Sequence, residues 1–124
     1  IRHPASLFMT DATPTPVGVQ NPGAYGNFPL LLQYARDRKL VSMEEAVRKM
    51  TGASADRFKI EKRGYLKKGY AADITVFNWK TIRDNTTSKN SSAPPTGIEA
   101  VFVNGRQVLA RGKVDPAVKA GLMI

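Results

Sequence analysis

Hydrophobic and polar positions divide the chain into three regimes. Residues 6–10 ("SLFMT") place Leu7, Phe8 and Met9 in a row rather than alternating. A short consecutive apolar run reads as a strand buried on both faces, as in parallel sheets, and a short buried helical segment fits the same pattern. Residues 12–26 then hold Pro14, Pro16 and Pro22 with Gly18, Gly23 and Gly26. Proline fixes φ and glycine frees it, so this stretch predicts a long irregular loop with a defined path. Loops of this length are functional or disordered as a rule.

Helical spacing follows. Phe28, Leu31, Leu32 and Ala35 mark one face of a helix beginning near Asn27. Asn27 suits the N-cap, and Pro29 is tolerated in a first turn, where amide donors lack partners. Arg36, Arg38 and Lys39 supply cations for its C-terminal end. Ser42 opens the next helix as a capping box: its hydroxyl accepts from the Glu45 amide, and the Glu45 side chain reaches back. Met43, Ala46, Val47 and Met50 form the stripe of that helix. Thr51 and Gly52 interrupt it, and residues 53–58 add a further turn or two.

From Arg63 the period becomes strand-like. Gly64 and Gly69 bracket "YLKK" as turns, and residues 72–77 ("ADITVF") form a β-branched-rich strand. Residues 84–97 are polar and end at Pro94-Pro95-Thr96-Gly97, which predicts a mobile loop. Residues 98–103 and 106–110 flank Asn104-Gly105, the strongest short hairpin signal, because both residues accept positive φ. No internal repeat is evident.

Composition narrows the function classes. The 124 residues are 42% hydrophobic and 23% charged, which is ordinary for a globular chain. They suffice for one small domain or part of a larger one. No apolar run approaches the ~20 residues that span a membrane. The chain starts at Ile1 without a signal segment, and reads as a processed product or a piece of a longer chain. The absence of cysteine removes disulfides, thiolate nucleophiles and thiolate metal sites, and agrees with a cytoplasmic location. The net charge of +9 invites a polyanion partner. The cations are scattered, however, and aromatics are not interleaved with them as base stacking requires. Solvated helix and loop faces are the simpler reading, and no nucleic-acid or membrane partner is expected.

Few residues can carry chemistry. A catalytic zinc takes three protein ligands, and one His with no Cys and no spaced acidic pair does not supply them. His3 reads as structural, and no Gly-x-Ser-x-Gly elbow supports a triad around it. Asp73 reads as an acceptor for neighbouring backbone amides, and Trp79 as packing. Asp11 stands apart. A carboxylate at the end of a short parallel-type strand, opening a loop, is where α/β barrels place catalytic groups. A loop-capping role for Asp11 remains the simpler reading on composition alone.

Four segments resemble the C-terminal part of a metal-dependent amidohydrolase, specifically the N-acyl-D-amino-acid deacylase (D-aminoacylase) branch. "HPASLFMTDA" is similar to the last barrel strand of that family, which usually ends Ser-Asp-Gly. "NPGAYGNFPLLLQYAR" is similar to its loop and helix around Ala-Tyr-Gly-Thr-Phe-Pro. "LVSMEEAVRKMTGASADRFKI" resembles its Leu-(Ser/Thr)-x-Glu-Glu-Ala-Val helix. "RGYLKKGYAADITVFN" and "GIEAVFVNGRQVLARGKV" resemble the terminal strands of its small β-domain. Thr10 replaces the usual Ser, Ala12 the usual Gly, and Asn21 stands where relatives often have His.

The resemblance implies hydrolysis of a non-peptide amide C–N bond, most specifically deacylation of a small N-acyl-D-amino acid. In such enzymes one or two metal ions, usually zinc, activate a water and polarise the acyl carbonyl. The aspartate matching Asp11 takes the proton from that water and passes it to the leaving amine, and the same carboxylate can touch the metal. Thr10, Ala12, Tyr25 and Gly26 are the implied substrate-binding positions. The family's His-x-His and other ligands are absent from this chain, so no metal is expected to bind it alone, and the isolated chain is expected to be inactive. The implied fold is an α+β piece. Residues 1–62 are the last strand and helices of a (β/α)8 barrel, and residues 63–124 are C-terminal strands of a small β-sandwich. A parallel strand without neighbours leaves its backbone unpaired, so residues before about Asn27 are expected to be irregular, rearranged, or paired with another copy through the exposed strand. A related cyclic-amide hydrolase, of the dihydroorotase or hydantoinase kind, and a non-enzymatic polyanion-binding domain are the alternatives.

Overall fold

Three helices precede one antiparallel sheet along the chain: α1 (Gly23–Asp37), α2 (Met43–Met50), α3 (Gly52–Phe58), then β1 (Ile74–Phe77), β2 (Ile98–Val103), β3 (Arg106–Ala110) and β4 (Lys113–Val114). The computed structural model describes residues 1–13 and 15–122. Pro14, one of the predicted loop prolines, and Met123 and Ile124, the end of the second predicted segment, lie outside the described residues. No helix among the described residues is long and apolar enough to cross a membrane.

Helix α1 starts four residues before the predicted Asn27. The Asn21 carboxamide accepts from the Gly23 amide at 2.9 Å, and the Asn21 carbonyl from the Ala24 amide at 3.1 Å. Asn21 and Pro22 therefore open the helix. Asn27 lies one turn inside it, its side chain free for another use, and Pro29 sits in the interior rather than the first turn. Helix α2 begins as predicted, with the Ser42 hydroxyl accepting from the Glu45 amide at 3.1 Å. Only half of the capping box forms. The Glu45 carboxylate takes two bonds from the Arg48 guanidinium, at 2.6 and 2.9 Å, instead of reaching back. A bidentate charge-assisted pair outcompetes a single bond to an exposed amide.

Two basic residues depart from the expectation of solvated faces. Lys49 is 1% exposed. Arg36, expected to serve the end of α1, also donates to the Trp79 and Ile82 carbonyls, both at 2.9 Å.

The sheet is a meander in the order β1-β2-β3-β4. Strands β2 and β3 coincide with the predicted hairpin arms, and Asn104 and Gly105 both have positive φ, at 47° and 78°. β1 begins two residues later than predicted, because Ala72 and Asp73 serve that hairpin. The Ala72 carbonyl accepts from the Gly105 amide, and Asp73 accepts from the Asn104 amide at 2.8 Å and pairs with Arg63. Asp73 thus bonds an amide 31 residues away rather than a neighbouring one.

The connection from β1 to β2 holds the centre of the fold. The Asn78 carbonyl accepts from the Thr81 and Ile82 amides, and this turn drives Ile82 to 0% exposure. Ile82 packs with Leu32 and Ala35 of α1 and Ala46 of α2, flanked by Val47, Phe77, Trp79 and Ile98. One core therefore spans the helices and the sheet, across residues 62 and 63. The polar stretch beyond it, predicted as a mobile loop, is stitched at its base. Arg83 and Thr96 exchange backbone bonds at 3.1 and 3.0 Å, and the Asn85 carboxamide donates to the Pro94 carbonyl and the Thr96 hydroxyl.

Gly97 closes this base with φ +86°, and a β-carbon there would meet the Ile82 backbone nitrogen at 2.7 Å. Backbone cannot move aside as a side-chain tip can. Gly97→Ala is expected to cost about 2–4 kcal/mol, read by chemical denaturation. A loss under about 0.5 kcal/mol, the range of ordinary surface substitutions, would contradict the packing. The Arg48 guanidinium also holds the Glu45 carboxyl below its ordinary value of 4.5. A carboxyl depressed in the folded state adds stability above its unfolded pKa and loses it as pH falls through the folded value. Stability is expected to drop on acidification below about pH 4.5, and less steeply in Glu45→Gln, in thermal melts across that range.

Candidate active site

The described residues before α1 form no helix or strand. Residues 6–10 are held by side chains instead. The Asn27 carboxamide, one turn into α1, donates to the Thr10 carbonyl at 3.2 Å. Gly23 lies against the same contact: a β-carbon there would stand 3.2 Å from the Thr10 carbonyl oxygen and 3.0 Å from the Asn27 side-chain Nδ2. The start of α1 and the end of the apolar run are therefore in contact.

Asp11 is the next residue. Its φ of 44° lies in the left-handed region, which short polar side chains such as Asp enter more readily than other L-residues. It is exposed, and it follows directly on a carbonyl fixed to a helix. The left-handed demand falls on Asp11 and not on Ala12. Ala12 is half-buried, as are Thr10 and Tyr25. Tyr25 sits in the first turn of α1, where its amide donates to the Pro22 carbonyl at 3.1 Å. Gly26 turns its missing side chain toward Asp84, so its contact is with the β1–β2 connection. Asp84 is itself held there by the Thr86 amide and hydroxyl. Within the predicted loop, residues 15–20 are tied together: Gln20 accepts from the Thr15 amide and donates to the Thr15 and Gly18 carbonyls, at 3.0–3.1 Å.

His3 is exposed, and its Nδ1 accepts from the Ala5 amide at 3.2 Å, a local structural bond. Trp79 packs on the core, as predicted. Sequence reasoning assigned Asn27 to a helix cap and Lys49 to solvent. Nothing in the pattern distinguishes a capping Asn from one that binds a carbonyl. For Lys49 a signal exists: it stands three residues after the buried Ala46, on the flank of the apolar stripe.

Residues 3–109 match the amidohydrolase family. The chain belongs to that family. A D-aminoacylase from Alcaligenes xylosoxydans xylosoxydans is 44% identical over 89 residues, which is 71% of this amidohydrolase chain and 18% of the relative. A crystal structure of D-aminoacylase superposes with a TM-score of 0.77 at 37% identity, covering 82% of the chain and 22% of that protein. An N-acyl-D-glutamate deacylase from Bordetella bronchiseptica, complexed with zinc and a phosphonate mimic of the tetrahedral intermediate, gives 0.70 at 34% identity, over 77% of the chain and 20% of that protein. The chain thus spans about a fifth of the length of these relatives.

One of these relatives is complexed with zinc. Among the described residues no three His, Cys, Asp or Glu side chains converge. Asp11 offers one carboxylate where a catalytic zinc takes three protein ligands. The residues present do not fit a self-contained metal site. Titrating zinc into the isolated chain is expected to show no saturable one-to-one uptake at micromolar metal. Tight stoichiometric uptake abolished by Asp11→Asn would contradict this.

Proposed function

We propose that this amidohydrolase chain is the part of an N-acyl-D-amino-acid deacylase that carries the proton-transferring carboxylate, Asp11. The observation that carries the reading is the setting of Asp11: exposed, left-handed, and one residue beyond a carbonyl anchored to α1. The named activities of the relatives support the substrate class. In this reading residues 1–62 contribute the last strand and helices of the barrel. Residues 63–124 contribute strands of the adjoining small β-domain.

The reaction asks little of the chain beyond that carboxylate. The Asp11 carboxylate takes a proton from a water as the water's oxygen bonds to the acyl carbonyl carbon. The tetrahedral species then breaks its C–N bond, and Asp11 returns the proton to the departing nitrogen. A carboxylic acid and a free amine result, and the aspartate ends as it began. Thr10, Ala12 and Tyr25 border the substrate, and Gly26 supports the turn that carries Tyr25. A metal, where present, takes its remaining donors from outside this chain.

The test is Asp11→Asn in the complete enzyme that carries this segment. The change keeps shape and left-handed tolerance but removes the base. The expected loss in kcat for N-acyl-D-amino acid hydrolysis is about 10²–10⁴-fold, the usual worth of a general acid–base group, with KM little changed. Near-normal kcat in the variant would overturn the assignment.

A further inference from the structure

We infer that Lys49 is a positioning residue for the reaction proposed above: it fixes the far end of the segment that delivers Asp11, while Asn27 fixes the near end. The inference rests on the deacylase reading for its functional half and on geometry for the rest. Lys49 projects from α2 and is 1% exposed. Its ammonium donates to the His3 carbonyl at 2.6 Å, the Ser6 hydroxyl at 2.8 Å and the Ser6 carbonyl at 3.2 Å. An ammonium has three N–H donors, and three oxygens receive them. The Glu45 carboxylate stands 3.7 Å away as counter-charge.

Such an arrangement is not explained by stability alone. A buried charge is costly to desolvate, and an apolar side chain of similar volume often serves a core equally well. What the ammonium supplies is direction, because it reads backbone and side-chain oxygens of one short turn. That turn is itself closed by the Ser6 amide and hydroxyl donating to the His3 carbonyl at 3.0 and 2.8 Å. Four residues after Ser6, the Thr10 carbonyl is taken by Asn27. The two anchors lie four residues apart, at most about 13 Å of extended chain, and Asp11 is the first residue past the second anchor. Catalytic groups displaced by about 1 Å can lose up to 10²-fold in rate.

The experiment has a structural arm and a kinetic arm. In the full chain, amide hydrogen exchange is followed for residues 6–12 and for the β2–β3 hairpin in wild type, Lys49→Met, Lys49→Arg and Ser6→Ala. The expected result is exchange about tenfold faster at residues 6–12 in Lys49→Met, recovered in part by Lys49→Arg, with the hairpin unchanged. Ser6→Ala removes one Lys49 acceptor together with the hydroxyl's own bond to the His3 carbonyl; if Lys49→Met does not fold, Lys49→Gln, which supplies two donors in place of three, carries the same test. In the complete enzyme, kcat is expected to fall about tenfold at unchanged KM, again with partial rescue by Lys49→Arg. Unchanged exchange at residues 6–12, or equal acceleration in the hairpin, overturns the inference. Local loosening with normal kcat, while Asp11→Asn is inactive, overturns the positioning role and leaves the deacylase reading standing. An active Asp11→Asn overturns the deacylase reading and the positioning role with it, without altering the exchange result.

Discussion

Burial of Ile82 is the contact on which the fold depends. This side chain belongs to a turn between β1 and β2, yet its neighbours are Leu32 and Ala35 of α1 and Ala46 of α2. Ile82 joins the buried apolar side chains of the two helices, and the sheet meets them through the flanking Phe77 and Ile98. Polar bonds hold the turn in place. Arg36 covers the Trp79 and Ile82 carbonyls, the Gln33 carboxamide accepts from the Asp84 amide at 3.2 Å, and Gly26 makes room for Asp84. Burial brings apolar area out of water, and the surrounding bonds prevent that burial from stranding backbone carbonyls.

The same α1 holds two separate parts of the chain. Its C-terminal half grips the Ile82 turn through Gln33 and Arg36. Its N-terminal half grips the segment before Asp11 through Gly23 and Asn27. Lys49 of α2 adds the remaining hold. A segment that lacks a sheet neighbour must still satisfy its backbone oxygens, and here side chains from helices satisfy them. Side-chain anchors fix chosen atoms rather than a whole ladder. The carbonyls of His3, Ser6 and Thr10 are bound, and the residue beyond the last of them is free to project.

Much of this was legible in the sequence where a local rule decides the outcome. The Asn104-Gly105 hairpin, the Ser42 cap and the break at Thr51-Gly52 follow from backbone preference alone, and each stands where the pattern puts it. The start of α1 did not follow, because two asparagines six residues apart both suit a cap, and a tertiary contact decided between them. Asn27 is needed by Thr10. The polarity of residues 84–97 predicts a mobile loop, but composition does not register the Arg83–Thr96 backbone bonds and the Asn85 contacts that close its base. Lys49 departs from its residue type in the same way, through a tertiary contact. Charge type predicts solvent, and only three facing oxygens make burial tolerable.

Asp11 shows where such reading reaches its limit and how the structure extends it. A lone carboxylate before a Pro/Gly loop has two readings, capping and chemistry, and both need it at the end of an apolar run. They differ in what the carboxylate does next. A capping Asp satisfies amides of its own loop, as Asn21, Asp84 and Asp115 do here with Gly23, Thr86 and Ala117. The Thr15-to-Gln20 stretch satisfies itself through Gln20 instead, with its own closed set of bonds. Residues 15–20 therefore hold their path through their own bonds, and the exposed Asp11 stands one residue past an anchored carbonyl. That setting, rather than residue type alone, supports the proposed proton-transfer role.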